Sequence, residues 1–294
     1  MLLLTGQRSA GTAWRAGLMR SEQPLSEHAV RAACTYGAAA DHYGHAPLGF
    51  WDRYGSATVS RLPLAAGDAV LDLCCGAGAS AIPAARAVGP AGHVLGIDVA
   101  RPLLEMARAK AAREGLGNIE FGQGDATCTG LAGGSFDAVV CVFGVFFAPD
   151  MAAFVAEMWR LVRPGGVLAI TTWGQGLWEP ASTCFWESVR AVEPSLFRAF
   201  SPWDEITTPQ ALTDLFARGR VANPVVAANP GQQHLDSPDM FWDIVLGTGY
   251  RATIDALSRE QRTQVRRRLL SELRSRNLTT IRTDVVFGTA TRTK

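Results

Sequence analysis

The stretch 70–81, Val-Leu-Asp-Leu-Cys-Cys-Gly-Ala-Gly-Ala-Ser-Ala, constrains everything around it. The short apolar run Ala69–Leu73 predicts a buried parallel strand, with Asp72 near its end. Gly76-Ala77-Gly78 predicts a tight turn, and the alanine-rich segment 80–88 predicts a helix. Glycines suit such a turn because a ligand must approach the backbone closely and the chain needs dihedrals that a side chain disfavours. The helix that follows points its free N–H groups at whatever lies in the turn. The combination is a cradle for a nucleotide-type cofactor.

The alternation continues downstream. Residues 93–98 predict a second strand ending on Asp98, and Pro102 opens a helix with the apolar stripe Leu103, Leu104, Ala107 and Ala111. A short third strand over 119–123 leads into Gly124-Asp125-Ala126. The continuous apolar run 136–143 reads as a central strand covered on both faces. Asp150 can cap the next helix, Pro164-Gly165-Gly166 stops it, and 167–173 is a fifth strand. Strands separated by helices at short intervals give an α/β, doubly wound, mostly parallel sheet. After Trp173 the pattern changes to helices over 181–192 and 209–218, a strand over 221–228, helices from Pro238 and over 258–276, and a last strand over 283–291. The expected division is a loose tail over 1–24, a helical lid over 25–62, a Rossmann-like core over 63–229, a helical insertion over 230–278 between the last two strands, and the final core strand within 279–294.

A formal net charge of +1 gives no basic footprint for nucleic acid. The six cysteines show no CxxC spacing, which predicts reduced thiols in a cytoplasmic protein and no metal site. No apolar run approaches the ~20 residues that span a bilayer, and the apolar start of the chain is too short for a signal-peptide core.

The turn fits the dinucleotide pattern, Gly76-x-Gly78-x-x-Ala81 with Asp98 about 20 residues on. Asp72 discriminates. A carboxylate there would face the pyrophosphate of a dinucleotide, and like charges 4 Å apart repel by ~4 kcal/mol at an effective dielectric near 20. A cofactor with a cationic amino-acid end and no phosphate suits it better, and S-adenosylmethionine is such a molecule.

Four blocks in order then resemble the class I S-adenosylmethionine-dependent methyltransferases, UbiE-like small-molecule branch, over roughly 36–173. They are 70–78, Gly96-Ile97-Asp98-Val99, Gly124-Asp125-Ala126, and Leu161-Val162-Arg163-Pro164-Gly165-Gly166. Cys74 departs from the glycine of many members. The resemblance implies a seven-stranded sheet. It implies that Asp72 orients the methionine end, directly or through water, and that the backbone from Cys74 through Gly76 to Gly78 meets the methionine carboxylate and ammonium. Asp98 would take both ribose hydroxyls and Val99 would pack on the adenine. Asp125 would accept from the adenine amino group while the Ala126 N–H donates to the ring. Phe143 would run beside the sulfonium, and the segment carrying Tyr36 and Tyr43 would cover the cofactor.

The expected activity is methyl transfer to a small, aromatic or apolar acceptor by in-line displacement, with a homodimer allowed. Phe146, Phe147, Trp173 and Trp242 are the expected acceptor pocket, since rings beyond strands four and five suit a planar guest. His42, among the aromatics of the lid, is the candidate base; His45, His234, Tyr36 and Tyr43 are alternatives, while His28 and His93 read as structural. Two rivals stand beside this reading: an NAD-type oxidoreductase, and a protein that binds S-adenosylmethionine without transferring its methyl.

Overall fold

The computed structural model describes residues 25–293; the expected tail over 1–24 lies outside the described residues. Five parallel strands form first: β1 (Ala69–Leu73), β2 (His93–Asp98), β3 (Ile119–Gln123), β4 (Phe136–Val142) and β5 (Val162–Trp173). With β6 (Val225–Asn229) and β9 (Val285–Thr291) they make one seven-stranded sheet in the order β3-β2-β1-β4-β5-β9-β6. β9 runs antiparallel to both β5 and β6. Crossovers are made by α3 (Ala81–Val88), α4 (Arg101–Arg113) and α5 (Met151–Leu161). The near-continuous burial of β1, β2 and β4 is what a parallel sheet covered on both faces demands. Strand order reverses between β1 and β4, and ligands bind beyond the carboxyl ends of the strands at such a switch point.

Several boundaries differ from expectation. β5 starts at Val162, so Pro164-Gly165-Gly166 lies inside the strand rather than ahead of it; the pairing with β4 slips between Phe136 and Ala138, and a proline is tolerated at such an irregularity. β6 begins at Val225 because Arg220 and Asn223, at φ of 60° and 50°, turn the chain just before it. β9 begins at Val285. Thr283 and Asp284, expected in that strand, instead link it to a small second sheet, β7 (Gln232–His234) paired antiparallel with β8 (Thr280–Arg282), which the sequence did not suggest. Pairing of β7 with β8 brackets three helices, α8 (Pro238–Leu246), α9 (Arg251–Asp255) and α10 (Arg259–Ser275). α10 starts with a capping box in which Gln261 N–H donates to Ser258 Oγ at 3.2 Å and Ser258 N–H to Gln261 Oε1 at 2.9 Å. Part of its arginine-rich face pairs with neighbouring acids, Arg266 with Asp239 at 2.6 Å and Arg262 with Asp255 at 3.4 Å.

Ahead of the sheet come α1 (Glu27–Tyr43) and α2 (Phe50–Val59). α2 passes so close to the entry of α3 that a Cβ on Gly55 would sit 2.2 Å from the Ala79 carbonyl oxygen. Backbone cannot yield as a side chain can. Gly55→Ala is therefore expected to cost about 3 kcal/mol, by overpacking, in urea unfolding of the full chain. Two further helices, α6 (Ala181–Val192) and α7 (Pro209–Arg218), complete the layers, and Thr208 caps α7, with the Ala211 N–H donating to Oγ1 at 3.1 Å. Among the described residues no helix is long and apolar enough to cross a membrane, and no two cysteines form a disulfide.

Candidate active site

A cleft opens at the switch point, beyond the carboxyl ends of β1, β2, β3 and β4, and α1 lies across it. Of the residues singled out by sequence, Tyr36, Tyr43, Cys74, Gly76, Asp98, Val99, Asp125, Ala126, Phe143 and Phe147 line it. The cleft is narrow, about 90 Å³. Tyr43 reaches over the glycine turn, its hydroxyl 3.1 Å from where a Gly76 Cβ would stand, and its ring stacks on Trp51 at 5.4 Å.

Two non-glycine residues hold left-handed backbone at the rim, Cys74 with φ 59° after β1 and Phe143 with φ 55° after β4. Left-handed backbone costs an L-residue roughly 1–2 kcal/mol, and such strain persists where the surroundings enforce it, often at binding sites. A glycine at position 74 would take this positive φ without that cost. Gly76 and Gly78 follow at φ 50° and 83°. Between the two strand ends, a Cβ on Gly144 would meet the Cys74 Cβ at 2.4 Å, so the crevice wall closes only with glycine there. A hydrogen bond with Cys141, together with burial, pushes the Cys74 thiol up, and burial does the same to Cys75. Both remain thiols at neutral pH and offer no thiolate inside the cleft.

The acids differ in their surroundings. Asp98 is buried at the end of β2, where Oδ2 accepts from the Gly76 N–H and Oδ1 from the Ala100 N–H, each at 2.8 Å. It thereby clamps the glycine turn to the second strand, and each oxygen keeps a lone pair for a ligand. Burial pushes its carboxyl above the usual range against the pull of the backbone amides. Asp125 accepts from Ser26 Oγ at 2.5 Å, and its Oδ1 accepts from the Thr127 N–H and hydroxyl at 2.9 and 2.6 Å. Burial acts to raise it, yet these bonds and the nearby His28 ring outweigh that and hold it below the usual range.

Asp72 does not line the cleft, which corrects a direct role. It lies behind the turn, 1% exposed, with Oδ2 accepting from Ser80 Oγ at 2.7 Å and Oδ1 without a partner. Burial pushes its carboxyl up to about 7. Ser80 does line the cleft, so Asp72 reaches it through that hydroxyl. Gly78 also stands behind the turn; a Cβ there would press on Ile82 at 3.0 Å, so its part is backbone geometry.

Other expectations are corrected. His42 is turned away from the cleft: Nδ1 bonds Asp41 at 2.7 Å, and Nε2 faces Asp243 at 4.0 Å beside His45. One residue before Tyr43, it projects about 100° round α1 from that ring, toward Asp243 on α8. His45 pairs with the same Asp243, and His234 is exposed on β7 beside Asp236. The imidazole that does line the cleft is His28, read from sequence as structural, with Nε2 3.8 Å from Asp125 Oδ2. Only its spacing of eight residues before Tyr36, two helical turns on one face, could have signalled this. Phe146 is buried against Trp203, Trp173 stacks on Phe143 with centroids 3.7 Å apart, and Trp242 is buried in α8; none of the three reaches the cleft.

Among the described residues lining the cleft, no lysine or arginine occurs, whereas two carboxylates do. Residues 70–166 match a family described as a methyltransferase domain. The match covers about a third of the chain. It holds β1 to β4 and the start of β5, hence the whole switch point. Demethylmenaquinone methyltransferase of Lactococcus lactis is 38% identical over 122 residues, 41% of this chain and 48% of that protein. Nocamycin O-methyltransferase of Saccharothrix syringae is 41% identical over 102 residues, 35% of this chain and 36% of that protein. The match thus spans less than half the length of either relative. Among solved structures, phosphoethanolamine N-methyltransferase 2 of Haemonchus contortus, in complex with S-adenosyl-L-methionine, superposes with a TM-score of 0.55 at 17% identity, covering 92% of this chain and 61% of that one. At that identity the likeness is one of fold.

Proposed function

We propose that this protein is an S-adenosylmethionine-dependent methyltransferase acting on a small-molecule acceptor. The observation that carries the reading is the charge of the cleft: Asp98 and Asp125 on its wall, Asp72 behind Ser80, and no lysine or arginine among the described lining. A pyrophosphate would meet carboxylates and no counter-charge. A ligand with an ammonium, a sulfonium and ribose hydroxyls would meet acceptors. The two relatives named for demethylmenaquinone and nocamycin support a small-molecule acceptor.

When bound, this cofactor supplies a methyl group that a nucleophile displaces from sulfur, so the hard chemistry is its own. The chain's part is to hold, align and keep water out. Asp98 offers its remaining lone pairs to the ribose hydroxyls, Val99 and Ala126 bracket the base, and Asp125 accepts from its amino group. The turn through Gly76 and Gly78 faces the amino-acid end, with Ser80 oriented by Asp72. Tyr36 and Tyr43 close the top. Burial pushes both phenols up, so they stay protonated and act as donors and walls. His28 replaces His42 as the imidazole on the lining, beside Asp125. In this reading 25–62 is a lid, 63–229 with 279–294 the core, and 230–278 a cap.

Because α1 lies across so narrow a cleft, it must lift to admit the cofactor. Calorimetry is expected to detect binding of S-adenosylhomocysteine and none of NAD. Hydrogen exchange of the amides in α1 is expected to slow in that complex, and binding of NAD instead would overturn the reading.

A further inference from the structure

Beside the cofactor cleft lies a second, wider cavity of about 570 Å³. The two share a wall made of His28, Ala32, Tyr36 and Phe147, with the Tyr36 and Phe147 rings edge to face at 5.4 Å. Its far walls come from outside the methyltransferase domain: Trp186 on α6, Trp203 in the turn Pro202–Ile206, and Tyr250 just before α9. These rings are fixed. The Tyr250 hydroxyl is 2.8 Å from Ser182 Oγ and accepts from Trp186 Nε1 at 3.3 Å, and Trp203 lies nearly parallel to Tyr250, 28° between planes, with centroids 6.3 Å apart.

The charge of this cavity is opposite to that of the cleft. Arg31 and Arg198 line it, both exposed and without an ion-pair partner among the described residues. The acid on the lining, Asp255, is already matched by Arg251 at 2.9 Å and Arg262 at 3.4 Å. Resting on the methyltransferase reading above, we infer that this cavity is the acceptor site and that it takes a planar aromatic acceptor bearing an acidic group. Preformed aromatic walls suit a flat ring with little ordering cost. A guanidinium at the mouth pairs with a carboxylate or phenolate in a forked geometry that a neutral ring cannot use. The segregation also sorts the two ligands: the cationic cofactor is drawn to the acidic cleft and the anionic acceptor to the basic cavity, on either side of Tyr36 and Phe147.

The test titrates the full chain, saturated with S-adenosylhomocysteine, with 1-hydroxy-2-naphthoate and with 1-naphthol, which share a ring system and differ by the carboxylate. The naphthoate is expected to bind at least tenfold more tightly. The double variant Arg31→Gln/Arg198→Gln is expected to bring the two within twofold of each other while leaving the naphthol unchanged. Gly249→Val, whose Cβ would point to Tyr36 and Trp203 at 3.6 and 3.9 Å, is expected to weaken both at least tenfold. Equal affinities in the unmodified protein, binding of neither ring, a preference that survives loss of both arginines, or indifference to Gly249→Val would each overturn the inference. Failure of S-adenosylhomocysteine to bind the unmodified chain would instead overturn the methyltransferase reading, and that titration is done first.

Discussion

Asp98→Ala is expected to weaken S-adenosylhomocysteine binding about 100-fold, a loss of roughly 3 kcal/mol, in calorimetry of the folded variant. Two effects add. The substitution removes the proposed acceptor for the ribose, and it also frees the glycine turn, because the Gly76 and Ala100 N–H groups both donate to this carboxylate at 2.8 Å. A buried N–H left unpaired costs about 1–3 kcal/mol, so the melting temperature should fall as well. Asp98→Asn separates the two. Its amide oxygen keeps one of the backbone bonds and its NH2 loses the other. It should recover part of the stability while leaving binding at least tenfold weak. Affinity unchanged in both variants would remove Asp98 from the cofactor site.

Asp72→Asn is expected to stabilise the unliganded protein at pH 8 by roughly 2 kcal/mol, about 5 °C in melting temperature, while weakening S-adenosylhomocysteine about tenfold. The carboxyl is pushed up to about 7 by burial, against 3.8 for an ordinary aspartate. Between those values the folded chain holds a proton that the unfolded chain has released. Stability therefore falls as pH rises through that window and levels off above about 7. Asparagine has no such dependence, so the gain from the substitution should be full at pH 8 and shrink toward pH 4. The shift alone corresponds to about 4 kcal/mol; the smaller figure allows for the amide NH2 that asparagine would place where Oδ1 already has no partner. A carboxylate kept at such a penalty beside a cofactor turn fits a role in holding a cation. A melting-temperature gain that is the same at pH 5 and pH 8 would show that Asp72 is not the group titrating there.

The acidic cleft was legible because it is local. Asp72, Cys74, Gly76 and Gly78 come from one turn, and Asp98 and Asp125 each follow a strand, so the parallel sheet brings the strand ends together once its order is known. Even there, the sequence could not tell that Asp72 stands behind the turn and Asp98 beneath it. Both lie at the end of an apolar strand, Asp72 one residue before the last and Asp98 the last, and strand alternation alone does not say which side chain meets the cleft. Which rings line a cavity was not legible. Phe146, Trp173 and Trp242 are large and aromatic, as pocket residues are, but core packing took all three. Trp186, Trp203 and Tyr250, which do wall the second cavity, lie on three separate elements after β5, and nothing in their spacing couples them.

By itself the sequence determined the strand–turn–helix cradle, the succession of five parallel strands and the acids at their tips, since each follows from short-range periodicity, glycine dihedrals and caps. Only the tertiary structure decided which imidazole faces the cleft, where the antiparallel strands and the small second sheet fall, and how α1 and the helices after β5 enclose a basic cavity next to an acidic one. The physical reason is that burial and charge at a site depend on contacts between residues far apart in the chain. His28 reaches Asp125, and Tyr36 stands near Gly249, only after the whole sheet is built.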